Sequence, residues 1–179
     1  IYTYLEEPDS VMHALGVDHE YVKENIRYIN SLVFELSEKL KDSLIIVTAD
    51  HGLVNTKTLY LEDYPKIQDM LIRRPSIETR AVNFFVKEEY LNVFPKEFNK
   101  IFGKDFILMS KEEILEKKMF GEGVKNPRID DSIGQYMAFG ISDKAIEWEK
   151  GGFDMQARHA GLTQEEMEVP LIVIDTNNL

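Results

Sequence analysis

Cysteine is missing from all 179 residues. Disulfide scaffolds, thiolate zinc sites and cysteine nucleophiles are therefore excluded, and any metal must be held by His, Asp or Glu. Long apolar runs are missing too. The best candidates, Leu44 to Val47 and Val169 to Ile174, fall far short of the roughly 20 residues that a membrane-spanning helix requires. Basic residues are outnumbered, 21 against 32 acidic, for a formal charge of −11. A polyanion would meet repulsion instead of a surface that displaces its counterions, so DNA and RNA are not expected partners. A small phosphate ester would be opposed as well, unless bound cations reverse the field locally. No Gly-rich loop joins a strand to a helix with Lys and Ser or Thr behind it, and no Gly-x-Ser-x-Gly elbow occurs. A phosphate-loop triphosphatase and a serine hydrolase thus have no support. With no signal peptide the expected location is cytoplasmic. With no initiator Met, and with Ile1 to Leu5 reading as a strand in progress, the chain is expected to be part of something longer.

What is present reads as α/β. Ile1 to Leu5, rich in β-branched and aromatic residues, predicts a strand stopped by Glu6-Glu7-Pro8-Asp9. Val22, Ile26, Ile29, Val33, Leu36 and Leu40 recur at spacings of four and three, which predicts a helix with one buried face and Asp18 as its N-cap. Leu44 to Thr48 then predicts a parallel strand covered on both faces, completing a strand-helix-strand unit. A helix from Pro65 to about Arg73, a strand over Ala81 to Val86 and a helix near Tyr90 to Phe102 follow. Next come a strand over Phe106 to Met109, a capping box at Ser110 and Glu113, and a strand within Ser132 to Ile141. Gly151-Gly152 returns the chain to a last buried strand, Val169 to Ile174, with Pro170 near its start. The organisation expected is a core segment over 1–55, an inserted α+β cap over 56–154 and a core return over 155–179.

Three of the four histidines lie in distinctive settings. Asp9 and His13, four apart, share one side of a helical turn and could reach one cation, although an Asp after Pro8 also reads as a helix cap. Asp50-His51-Gly52 lies just beyond the carboxyl end of a strand, where open α/β sheets place ligands, and Gly52 permits a tight turn; a polar turn is the alternative. His159, in Arg158-His159-Ala160-Gly161, also reads as a surface-loop histidine. Arg158 beside it could approach an anionic substrate or simply be solvated, and His19 reads as solvated.

Taken in order, Tyr4-Leu5-Glu6-Glu7-Pro8-Asp9-Ser10 with His13 and Gly16, then Thr48-Ala49-Asp50-His51-Gly52, then His159-Ala160-Gly161, resemble the alkaline phosphatase superfamily. The likeness is to its type I phosphodiesterase/nucleotide pyrophosphatase branch in particular. The resemblance implies a parallel-sheet core with two divalent metal ions, usually zinc, at its carboxyl ends. Residue by residue, it implies Asp9, His13 and His159 as the ligands of one ion and Asp50 and His51 as two ligands of the other. The family supplies the remaining Asp and a Thr or Ser nucleophile before the first of these motifs. The chain is accordingly expected to be the C-terminal part of a phosphoester hydrolase, inactive by itself, with no residue here, Thr48, Ser10 and Thr3 included, taking the nucleophile's role. A small phosphoester is the implied substrate, with no nucleic acid polymer and no membrane as partner. Phosphonoacetate hydrolases, phosphomonoesterases or a non-catalytic metal-binding module are the alternatives. A sheet lacking its first strands would expose an edge and an apolar face, which makes self-association plausible.

Overall fold

The four-three apolar spacing folds as a long helix, the second of two near the front of the chain. The computed structural model describes residues 1–177. In chain order they form helices α1 (Asp9–Leu15) and α2 (Glu20–Lys39), then strands β1 (Leu44–Thr48), β2 (Val54–Asn55) and β3 (Lys57–Tyr60). Helix α3 (Pro65–Gln68), strands β4 (Ser76–Ile77) and β5 (Ala81–Phe84), helix α4 (Phe94–Phe102) and strand β6 (Phe106–Ser110) follow. Helices α5 (Lys111–Glu116) and α6 (Ile129–Ser132) lead to strands β7 (Tyr136–Gly140), β8 (Lys144–Glu147) and β9 (Ala157–Arg158). Helix α7 (Gln164–Met167) and strand β10 (Leu171–Asp175) close the described chain. Contacts divide the described residues into one unit of residues 1–55, 154–159 and 164–177 and a second of residues 56–153 and 160–163.

In the first unit, β1 pairs antiparallel with β10 and β2 pairs antiparallel with β9. This corrects the expected parallel core: the sheets are small, and β3 with β8 is the only parallel pair among the described residues. An apolar β-branched run signals a face that favours burial but does not encode strand direction. The partner of β1 comes from the far end of the chain. Nor is β1 covered on both faces, since Leu44, Ile46, Leu171 and Val173 are each more than half exposed. Residues 1–6 form no strand. Strand propensity describes a side chain that fits a pleated, half-buried surface, and no ladder reaches these residues. The cap of α2 is His19, not Asp18: the His19 ring accepts from the Tyr21 amide at 3.2 Å, while Asp18 accepts from the Asn55 side chain at 3.0 Å.

The second unit holds a four-stranded antiparallel sheet in the order β4-β5-β7-β6. Phe94, Phe98 and Phe102, four apart along α4, form one buried stripe, and Phe98 meets Phe84 of β5 edge-on with ring centroids 5.5 Å apart. The helix begins at Phe94 and not at Tyr90 because Pro95 is tolerated only in a first turn; a short 3-10 turn, Glu88–Tyr90, precedes it. Helix α3 likewise stops well before Arg73. Leu71 leaves it to bridge Val86, and the Ile72 amide donates to the Phe85 carbonyl at 2.8 Å. Between β6 and α5 the expected capping box is present: Ser110 Oγ accepts from the Glu113 amide at 3.2 Å, and the Ser110 amide donates to the Glu113 carboxylate at 2.7 Å. Ser110→Ala is expected to lower stability by about 1 kcal/mol. A denaturation midpoint unchanged from wild type would mean the box contributes nothing measurable.

Candidate metal centre

Helix α1 opens at Asp9, one position inside the turn that follows Pro8, so Asp9 is not the cap itself. Four residues on, His13 Nε2 lies 3.4 Å from Asp9 Oδ1. The other ring nitrogen, Nδ1, lies 2.7 Å from the Ala157 carbonyl oxygen. A carbonyl can only accept, so Nδ1 carries the proton and, in the neutral ring, Nε2 presents a lone pair towards Asp9. Asp9 Oδ1 is buried and has no hydrogen-bond partner among the described residues. With the ring neutral, two electron-pair donors face each other at contact distance, an arrangement that is unfavourable until a proton or a metal cation lies between them. His159 supplies the third corner. It follows β9, and its ligand atom lies with those of Asp9 and His13 inside a cluster no wider than 4.8 Å. These groups fit a divalent cation by type and by orphaned charge.

Asp50 and His51 are placed differently. His51 stacks on His159, ring centroids 3.9 Å apart and planes 24° from parallel, so it stands beside the cluster. Its Nδ1 lies 3.2 Å from the Gly52 carbonyl, which leaves Nε2 free of that contact and 3.7 Å from Asp50 Oδ1. Asp50 is exposed and lies outside the three-residue cluster. Its Oδ1 accepts from the His51 amide at 3.2 Å, and its Oδ2 accepts from the Tyr4 hydroxyl at 3.5 Å. The negative charge of Asp50 pushes the Tyr4 hydroxyl above its ordinary pKa. The structure therefore brings Asp9, His13 and His159 together and sets His51 against His159, with Asp50 beside His51.

Several neighbours were misread or missed in the sequence. Gly52, read as permitting a tight turn, also allows a close approach of two backbones: a Cβ there would lie 1.9 Å from the Glu165 carbonyl oxygen. Its amide donates to the Glu166 carbonyl at 2.9 Å, tying the His51 loop to the segment after His159. Arg158 is buried, not solvated, and donates to the Met155 carbonyl at 2.8 Å. Ala160, directly after His159, holds φ at +77°, a strained conformation for a residue with a Cβ. The Gln156 amide donates to the His13 carbonyl at 2.8 Å. No short-range pattern marks the Gly52 to Glu166 and Gln156 to His13 contacts, because each joins residues more than a hundred positions apart.

The family model for type I phosphodiesterases and nucleotide pyrophosphatases matches residues 1–139, well over half of the chain. The chain belongs to that family. It is a member of the alkaline phosphatase superfamily. No curated protein sequence matches it. Among solved structures it resembles murine ectonucleotide pyrophosphatase/phosphodiesterase 5, an inactive variant in complex with AMP, at 19% identity and a TM-score of 0.67. That match covers 94% of this chain and 45% of the other. The human counterpart gives 16% identity and a TM-score of 0.67, with 95% and 45% covered. Phosphonoacetate hydrolase from Sinorhizobium meliloti 1021, in complex with phosphonoformate, gives 17% identity and a TM-score of 0.64, with 92% and 43% covered. This phosphodiesterase-family chain thus has a mixed α/β fold matching part of those proteins and spans less than half of their length.

Proposed function

We propose that the chain is part of a metal-dependent phosphoester hydrolase, carrying one metal site and part of a second. Asp9, His13 and His159 would hold one divalent ion, with zinc suited to the imidazole and carboxylate donors; Asp50 and His51 would contribute to another. The observation that carries this reading is the buried Asp9 Oδ1, without a hydrogen-bond partner among the described residues, facing His13 Nε2, with His159 closing the triangle. Bound there, a divalent ion supplies Lewis-acid polarisation of a phosphoryl oxygen and activates a coordinated hydroxyl. The protein's own part is to fix the ligands. The Ala157 carbonyl holds the His13 ring in the tautomer that aims Nε2 at Asp9, and the His51 ring supports His159 from one side. The attacking hydroxyl comes, in this proposal, from polypeptide outside these 179 residues, in keeping with the 45% of the murine relative that the chain covers.

A small phosphoester is the proposed substrate. The murine relative's structure holds AMP and the bacterial relative's holds phosphonoformate, and a chain of net charge −11 binds such anions only where cations reverse the field. Residues 56–153 of the second unit lie between His51 and His159 in sequence and are proposed to tune leaving-group preference. The test is equilibrium dialysis of the purified chain against zinc, followed by elemental analysis and an assay with a bis(aryl) phosphate. About one ion retained per chain, lost in His159→Ala, is expected, without appreciable turnover. No retained zinc contradicts the metal reading, and turnover that His159→Ala abolishes contradicts the placing of the nucleophile.

A further inference from the structure

We infer that Asn55 is a positioning residue for the Asp9, His13 and His159 cluster, an inference that rests on that cluster holding a divalent ion. Asn55 is not one of the three ligands. Its side-chain amide instead spans to the segment that ends helix α1, where Oδ1 accepts from the Val17 amide at 2.9 Å and Nδ2 donates to Asp18 Oδ2 at 3.0 Å. Donor and acceptor of one planar group are both engaged, so the amide's orientation is fixed and the end of α1 is fixed with it. The approach is close. Gly16 holds φ at +86°, and a Cβ there would lie 2.9 Å from Asn55 Oδ1.

The backbone of Asn55 reaches the other half of the cluster. In the β2 and β9 ladder Asn55 stands opposite Ala157. Ala157 is the residue whose carbonyl orients His13 Nδ1 at 2.7 Å, and its neighbour Gln156 donates to the His13 carbonyl at 2.8 Å. His159 lies two residues beyond Ala157. Asn55 is thus bonded through its side chain to the segment directly after the helix carrying Asp9 and His13, and through its strand to the segment carrying His159. Ligand geometry has tolerances of roughly half an ångström, so a residue that sets the spacing of two ligand-bearing segments acts on affinity without touching the ion. An Asp at this position would still accept from Val17 but would turn a second carboxylate towards Asp18. An Ala would release both contacts.

The experiment measures zinc affinity, by competition with a chromophoric chelator, for wild type, Asn55→Ala, Gly16→Ala and the double variant. It also measures the melting temperature of each metal-free chain and the imidazole resonances of metal-free wild type and Asn55→Ala. Asn55→Ala is expected to weaken zinc binding about tenfold with little change in the metal-free melting temperature, because the side chain is exposed and water replaces its contacts. The His13 Nδ1 proton, protected by the Ala157 carbonyl in wild type, is expected to exchange faster. Gly16→Ala is expected to weaken binding as well, and less severely when Asn55 is already truncated, since the atom its Cβ meets is then gone. Affinity of Asn55→Ala within twofold of wild type, or an unchanged His13 resonance, overturns the inference while leaving the metal site intact. Zinc binding absent from wild type overturns the metal reading and this inference together.

Discussion

Replacing Asp9 by alanine is expected to lower zinc affinity at least a hundredfold while leaving the metal-free chain no less stable than wild type. The two halves of this result have one origin. Asp9 Oδ1 is buried with no hydrogen-bond partner among the described residues, and it faces His13 Nε2 at 3.4 Å. Without a cation, a buried unsatisfied oxygen costs on the order of 1–3 kcal/mol, a cost that truncation removes. With a cation, the same oxygen is one of three donors, and losing it forfeits at least about 2.7 kcal/mol of binding if affinity falls a hundredfold. Stabilisation of the metal-free state together with loss of metal is the mark of a residue kept for binding and not for folding. Denaturation curves with and without zinc, alongside chelator competition, measure both. Should Asp9→Ala destabilise the metal-free chain and leave zinc affinity unchanged, Asp9 and His13 form a structural ion pair and the site is misassigned.

The other large effect is expected at Gly52. Alanine there would put its Cβ 1.9 Å from the Glu165 carbonyl oxygen, and the obstacle is backbone, not a side chain able to swing away. One of the two segments must move, and the 2.9 Å bond from the Gly52 amide to the Glu166 carbonyl is then lost. A destabilisation of about 3 kcal/mol is expected, at the upper end of overpacking substitutions. His51 moves with the loop, so its 3.9 Å stacking on His159 is expected to loosen and zinc to be held less tightly. Urea denaturation of Gly52→Ala checks this. A midpoint close to wild type would mean that the two segments do not approach as described.

The ligand-type residues were visible in the sequence because they sit in short patterns: Asp9 and His13 one helical turn apart, Asp50 and His51 adjacent at the end of β1. What the sequence did not show was how they are held. The Ala157 carbonyl, the Asn55 amide and the Glu165 backbone act across 144, 38 and over a hundred positions respectively, and none has a local signature. Periodicity placed the span of α2 and an apolar β-branched run that of β1, yet the buried face expected of α2 is not formed, since Ile26, Leu36 and Leu40 are exposed. Its cap moved to His19, since an imidazole nitrogen can accept an amide as an Asp oxygen does. In the second unit, Ser110 and Glu113 gave a local signal that the fold obeys, whereas Pro95 and the Leu71 to Val86 bridge cut two predicted helices short. The parallel core failed for a different reason. Leu44 to Thr48 carries the composition of a doubly covered strand, but composition records which side chains favour burial and not which strand lies alongside, or in which direction.

The most direct test of the central claim is zinc K-edge absorption fine structure on the zinc-loaded chain, compared with the His159→Ala variant. A tightly bound ion with two imidazoles and one carboxylate oxygen among its donors is expected, with one imidazole fewer, or no bound zinc, in the variant. A donor set with one imidazole or none in the wild-type chain, or an unchanged spectrum in His159→Ala, would contradict that claim.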